Sequence, residues 1–145
     1  MRRSGAVHRW LLTIFIIGVA VQFFLAGLGV FKTQHASDQG AVDDKQFGDF
    51  FDPHATLGSL LFIIAVLVFV AALIARIGRP RIFAMLALPL LVALQFVFAG
   101  TGPPWFRAFH VLNAFVIAGL AGTQTGIAWR EYRSTAAAPA PPSPS

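Results

Sequence analysis

The sequence predicts an all-α fold: an integral membrane bundle of four transmembrane helices, built from two duplicated helical hairpins. Three observations predict it. Hydrophobic residues make up 57% of the 145 residues and charged ones 12%, against about 45–50% and about 25% in an ordinary soluble domain. The few charges are segregated, leaving four charge-free runs at residues 10–31, 53–75, 82–106 and 108–129. Finally, "QFFLAGLGVF" at residues 22–31 returns as "QFVFAGTGP" at residues 95–103. A bilayer core about 30 Å thick needs about 20 apolar residues at 1.5 Å per residue. Each run is long enough. A helix satisfies its own backbone groups in lipid, so four spans are expected at about 10–31, 53–75, 82–102 and 108–129, within one domain covering 1–133.

Taken in order, the first run follows "MRRSGAVHRW", whose basic residues resemble the start of a secretory signal. Cleavage after Ala20 would cut the span just ahead of the repeated phrase, so an uncleaved first helix is expected. The stretch Gln34 to Asp52 reads as an acidic outer loop. Asp52-Pro53 then reads as an N-cap followed by proline at the first helical position, starting the second helix with His54 in its first turn. Pro89 lies inside the third run and is expected to kink that helix by freeing the carbonyl of Met85. Pro103-Pro104 ends the next loop, and His110 lies near the start of the fourth helix. Trp10, Trp105 and Trp129 each stand at a span boundary, where tryptophan anchors at the membrane interface. The tail at 134–145, "STAAAPAPPSPS", is Pro/Ala/Ser-rich and expected to be disordered.

Basic residues set the orientation. Eight arginines (2, 3, 9, 76, 79, 81, 130 and 133) fall on one side, and only Lys32, Lys45 and Arg107 on the other. The positive-inside rule puts both termini in the cytoplasm of a bacterial inner (plasma) membrane. Five of the six acids lie on the outer side: Asp38, Asp43, Asp44, Asp49 and Asp52. The net charge of +5 therefore reflects topology and the lipid bilayer as partner, and no basic stripe points to nucleic acid.

The two phrases align as Gln22/Gln95, Phe23/Phe96, Ala26/Ala99, Gly27/Gly100 and Gly29/Gly102. Each leads to one histidine, 32 residues on in the first half and 15 in the second, and loops absorb such length differences cheaply. The inference is a duplicated hairpin, helices one and two against helices three and four. His54 and His110 then occupy equivalent places near the outer ends of helices two and four. A lone histidine there reads as an interfacial side chain bonded to water or backbone. A symmetric pair facing across a bundle also suits the two axial positions of a heme iron. Small residues one turn inward, Gly58 and Ala114, admit a flat ligand. Gly27, Gly100, Phe51 and Phe109 could surround it.

Gln22 and Gln95 are polar groups about three turns inside their helices. Each should find a partner in the bundle interior, either another helix or the lower edge of a ligand. His35, Asp49 and Asp52 are the remaining candidates for zinc or copper, and the second half offers no matching acid. The spans hold no acidic residue, so a catalytic acid or nucleophile constellation and ion-coupled transport both lack their residues. With no cysteine, disulfides and a covalently attached heme are excluded.

Glutamine followed by Ala-Gly at the end of an odd helix, then a histidine opening the next even helix, resembles the heme A synthase family. The resemblance covers residues 10–129 and implies one four-helix half of such a protein, with heme held between histidines of the second and fourth helices. By position, Gln22 pairs with His54 and Gln95 with His110, and the two histidines would be the axial ligands. The family's catalytic half carries a glutamate three residues before a ligating histidine. Phe51 and Arg107 stand at those positions, so the resemblance implies a cofactor-binding half without oxidation chemistry.

The expected function is that of a small b-type cytochrome binding one heme b near the periplasmic face, for electron transfer or heme handling. His54 and His110 would be its metal ligands, and Gln22, Gln95, Gly58 and Arg107 its other cofactor-binding residues, with Arg107 placed for the propionates. A redox partner or a respiratory or heme-biogenesis membrane protein, and a homo-oligomer, are the compatible partner classes. The alternatives are a cofactor-free accessory subunit and a bundle that binds quinone or lipid between its hairpins.

Overall fold

A computed structural model describes residues 2–100 and 102–136. Those residues form helix α1 (Arg2–Gln39), α2 (Asp44–Ala75), α3 (Arg79–Gly100), the single turn α4 (Pro104–Arg107) and α5 (Phe109–Ala136). The four long segments are long and apolar enough to cross a membrane, α4 and α5 together supplying the last. Each neighbours two others around a square: α1 packs on α2 and α5, and α3 packs on α2 and α5. The diagonal pairs, α1 with α3 and α2 with α5, do not touch through their backbones.

Two expectations about the outer side give way to longer helices. The stretch 34–52 is not a loop. α1 continues to Gln39, only residues 40–43 turn, and α2 starts at Asp44. Asp43, not Asp52, is the N-cap, its carboxylate accepting from Gln46 N–H at 2.7 Å. Pro53 therefore lies inside α2, and His54 belongs to its third turn rather than its first. Local pairs one turn apart supply the reason. Lys45 bridges Asp49 at 2.9 Å, and the rings of Phe47 and Phe51 stack at 4.8 Å. Such pairs stabilise a helix segment by a few tenths of a kcal/mol each (about 0.2–0.5). α3 likewise runs without a break through Pro89. Of the tail, residues 134–136 complete α5, and 137–145 lie outside the described residues.

At the Arg-rich end, α2 stops at Arg76, which takes a left-handed conformation (φ 52°) and donates its N–H to the Leu73 carbonyl. Gly78, at φ 98°, then turns the chain into α3. The outer end of the second hairpin turns instead through Gly102, Pro103 and α4, where Phe98, Phe106 and Phe109 pack ring against ring.

Close packing fills only one half of the bundle. Leu12, Phe15, Val19, Leu61, Ala65, Val68, Ala72, Met85, Leu88, Val92, Ile117, Ala121 and Ala128 form one buried cluster toward the Arg-rich end. Lipid contributes no hydrophobic drive between helices, so this interlocking and a few polar contacts hold them together. On the outside, Ile14, Ile17, Phe24, Ile63, Ile74, Phe83, Leu90 and Phe115 are exposed, as a lipid-facing surface requires. Gly29 of α1 leaves room for the Phe51 ring of α2, since a Cβ there would lie 2.7 Å from that ring. Gly29→Ala should therefore displace that ring and destabilise the bundle by about 1–3 kcal/mol. Gly119→Ala, with open space around it, should change stability by less than about 1 kcal/mol. Thermal unfolding of both variants in detergent, followed by helical circular dichroism, checks the difference.

Candidate functional site

In the other half of the bundle the four helices stand around an apolar cavity of about 570 Å³. Its floor is the upper layer of the packed core: Phe15, Val19, Leu61, Val92 and Ile117. Small residues, Ala26, Gly27, Ala55, Gly58, Ala99 and Ala114, alternate in its walls with Phe23, Phe51, Phe96 and the polar side chains. Lining residues on every wall are also exposed: Phe23 and Val30 of α1, Ala55 and Ser59 of α2, Phe96 and Ala99 of α3, and Val111 of α5.

His54 and His110 both line this cavity. They come from α2 and α5, the diagonal pair, and their ring centroids are 6.0 Å apart with planes inclined at 52°. Each ring is anchored in the same way. His54 Nδ1 bonds the backbone carbonyl of Gln22 at 3.2 Å, and His110 Nδ1 bonds that of Gln95 at 3.1 Å. A carbonyl oxygen can only accept, so Nδ1 carries the proton in both rings. That leaves Nε2 of each imidazole with its lone pair free and, among the described residues, without a hydrogen-bond partner. The repeated glutamine and the histidine that follows it are thus one device, used twice.

The glutamine side chains differ between the halves. Gln22 Nε2 donates to the His54 carbonyl at 2.8 Å, tying α1 to α2. Its Oε1 is buried and has no partner among the described residues. A Cβ on Gly58 would lie 3.0 Å from Gln22 Nε2, so the small residue one turn from His54 leaves room for the glutamine amide as well as for a ligand. In the second half the tie comes from α5 instead. Asn113 Nδ2 donates to the Leu91 carbonyl at 2.8 Å and to Gln95 Oε1 at 2.9 Å. Asn113 is buried, with 7% of its surface exposed. The sequence pattern alone does not single it out. The signal lay three residues after His110, but Leu57, its counterpart after His54, is apolar, so the repeat did not mark the position.

Of the expected cofactor-binding residues, His54, His110, Gln22, Gln95 and Gly58 all line the cavity, joined by Gly27 and Phe51. The Phe51 ring stands edge-on to His54 at 6.5 Å. Arg107, Gly100 and Phe109 lie outside the wall. Arg107 is exposed and donates from Nε to the Gly102 carbonyl at 3.2 Å, steadying the turn before α5. His35 pairs with Gln39 on the surface of α1, and among the described residues no three His, Asp or Glu side chains converge on a point.

The fold and site define a class: a four-helix membrane bundle with two carbonyl-anchored histidines facing across an apolar cavity. The chain belongs to the DUF6220 family, a family of unknown function, whose model matches residues 22–102. The match starts at the glutamine of the first phrase and ends at the last glycine shared with the second, so it takes in His54 but not His110. No curated protein and no solved structure matches the chain.

Replacing Asn113 by leucine leaves Gln95 Oε1 without its donor in the bundle interior. The variant should lose about 1–3 kcal/mol, more than Thr123→Val, whose hydroxyl only returns to its own helix at Gly119. Thermal midpoints of the two variants in the same detergent make the comparison.

Proposed function

We propose that the protein is a small b-type cytochrome, a membrane bundle that binds one heme between His54 and His110 for electron transfer or heme handling. The observation that carries this reading is the spacing of the two rings. Two metal–nitrogen bonds of about 2 Å, with about 1 Å from each nitrogen to its ring centre, place the centroids of two trans imidazoles about 6 Å apart. The rings stand 6.0 Å apart already. Three further features fit the same group. Each Nδ1–H is held by a carbonyl, the usual outer partner of a metal-bound histidine, which leaves Nε2 to coordinate. The cavity has the size of a cofactor site, and the small residues in its walls let a flat macrocycle lie between the helices. The chain has no cysteine, so attachment would be non-covalent.

His54 and His110 would hold the iron, with the Gln22 and Gln95 carbonyls fixing their tautomer and orientation. Phe51, Gly27, Gly58 and Ala114 would flank the ring faces and edges. A heme held by these two histidines would supply one-electron exchange. The apolar floor and walls would exclude water around it. A periplasmic-side location in a bacterial inner membrane, with both termini in the cytoplasm, follows if the arginine-rich end faces inward.

A second reading, a quinol or other hydroxyl-bearing lipid in the same cavity, is favoured by one observation: the buried, unpartnered Oε1 of Gln22 is an acceptor awaiting a donor. The two readings separate in a reduced-minus-oxidised absorption spectrum of detergent-purified protein produced with heme supplied. The cytochrome should give a low-spin b-type spectrum that His54→Ala and His110→Ala each abolish or convert to high spin. A colourless wild type that co-purifies with a lipid-soluble quinol or alcohol would replace it with the second reading.

A further inference from the structure

The end of the bundle opposite the cavity holds a second group of buried polar atoms that the proposed cofactor does not use. Arg81, in the first turn of α3, donates from Nη1 to both carboxylate oxygens of Glu131 on α5, at 2.6 and 2.7 Å. Its other two nitrogens, Nε and Nη2, are buried and have no partner among the described residues. These two are the neighbouring pair whose N–H bonds form the parallel fork that grips two oxygens of one oxyanion. His8 of α1, also buried with 2% of its surface exposed, turns its ring toward the Val68 backbone of α2 and lies within the electrostatic reach of Arg81 and Glu131.

We propose that the Arg81–Glu131 pair, where α3 meets α5, binds a phosphate group, gripped by the Nε/Nη2 edge of Arg81. Leaving a guanidinium edge unpaired in a bundle interior is costly, and a single acid cannot saturate five donors. The surrounding charge has the matching sign: Glu131 is the only acid at this end, against Arg9, Arg76, Arg79, Arg81, Arg130 and Arg133. Its depth also fits. Arg9 lies over the rings of Trp129 and Tyr132, at 4.7 and 3.9 Å, and Trp10 packs edge-on against Trp129. Such an aromatic belt marks the level of lipid headgroups, where phosphates are plentiful. The group could belong to an anionic phospholipid or to free inorganic phosphate, and the same chemistry recognises both. Arg81 and Glu131 take no part in lining the histidine cavity, and the proposed ligand does not depend on heme.

The test uses the full chain, delipidated in detergent, with phosphatidylglycerol, phosphatidylcholine or inorganic phosphate added in turn. Native mass spectrometry counts retained lipid, and thermal midpoints report phosphate. One retained phosphatidylglycerol per chain, preferred over phosphatidylcholine, supports the site with lipid as its source. A rise in thermal midpoint with inorganic phosphate alone supports it with the free anion as the source. Arg81→Lys keeps the charge but loses the fork, and should weaken either effect about tenfold, or about 1.4 kcal/mol. Arg133→Lys, at the same end of the bundle, should not. No preference for phosphatidylglycerol over phosphatidylcholine together with no response to phosphate overturns the proposal on wild-type protein alone, whatever the variant does. Equal retention by Arg81→Lys and wild type also overturns it.

Discussion

A polar group held in hydrocarbon must find its partner inside the chain, because no water is there to provide one. This constraint organises the molecule. It makes all four spans helical, and it decides where the few interior polar side chains can stand. Gln22, Gln95 and Asn113 all lie at helix–helix seams, where each reaches a carbonyl or amide of a neighbouring helix. The helix carbonyls of Gln22 and Gln95 then have a second lone pair to offer, and the two imidazoles take it. What looks like a binding motif is therefore first a solution to hydrogen bonding in lipid. It has the side effect of presenting two unprotonated Nε2 atoms to a common space.

The division of the bundle into a packed half and a hollow half follows from side-chain size. Toward the Arg-rich end the inward stripe of α1 carries Leu12, Phe15 and Val19, which meet Leu61, Val68, Met85 and Leu88 without gaps. Further along, many inward positions become small, at Ala26, Gly27, Gly58, Ala99 and Ala114, and the larger lining residues such as His54, His110 and Phe51 stand around the space without filling it. Large residues such as Phe24, Phe31 and Phe115 are present at these levels but point to lipid. A chain that only needed to associate helices would gain more contact by turning them inward. The hollow is thus a costly feature, and that cost is the physical argument for an occupant.

The two halves are alike in backbone and unlike in detail. The first hairpin is drawn tight by Gly29 under the Phe51 ring and by the Gln22 amide on the His54 carbonyl, and its helices run on to Gln39 and from Asp44. The second is shorter, closes on a cluster of phenylalanines, and relies on Asn113 to hold its glutamine. Duplication explains the shared Gln–His device. Divergence explains why each half secures it by its own side chains. At the far end the polar contacts are of another kind, with guanidinium groups stacked on aromatic rings or paired with Glu131.

The number of spans, the duplicated hairpin and the pairing of each glutamine with a following histidine were legible in the sequence. Length of apolar run, charge segregation and an internal repeat are one-dimensional signals, and a membrane forces them into one architecture. The helical extension of 34–52 was not legible, since its polar composition matches a loop. Its helix rests on a cap at Asp43 and on pairs one turn apart, which outweigh Pro53. Nor could the sequence say that α2 and α5 are diagonal. Only the order of helices around the square puts the two histidines across the axis, 6.0 Å apart, rather than side by side on neighbouring helices. The roles of Asn113 and Arg81 were hidden for the same reason: each depends on a residue of another helix, 18 positions away for Gln95 and 50 for Glu131. Sequence by itself determined which segments enter the membrane and which polar residues they carry. Tertiary structure decided which of those residues meet, because meeting depends on the packing of helices around an axis that no local pattern encodes.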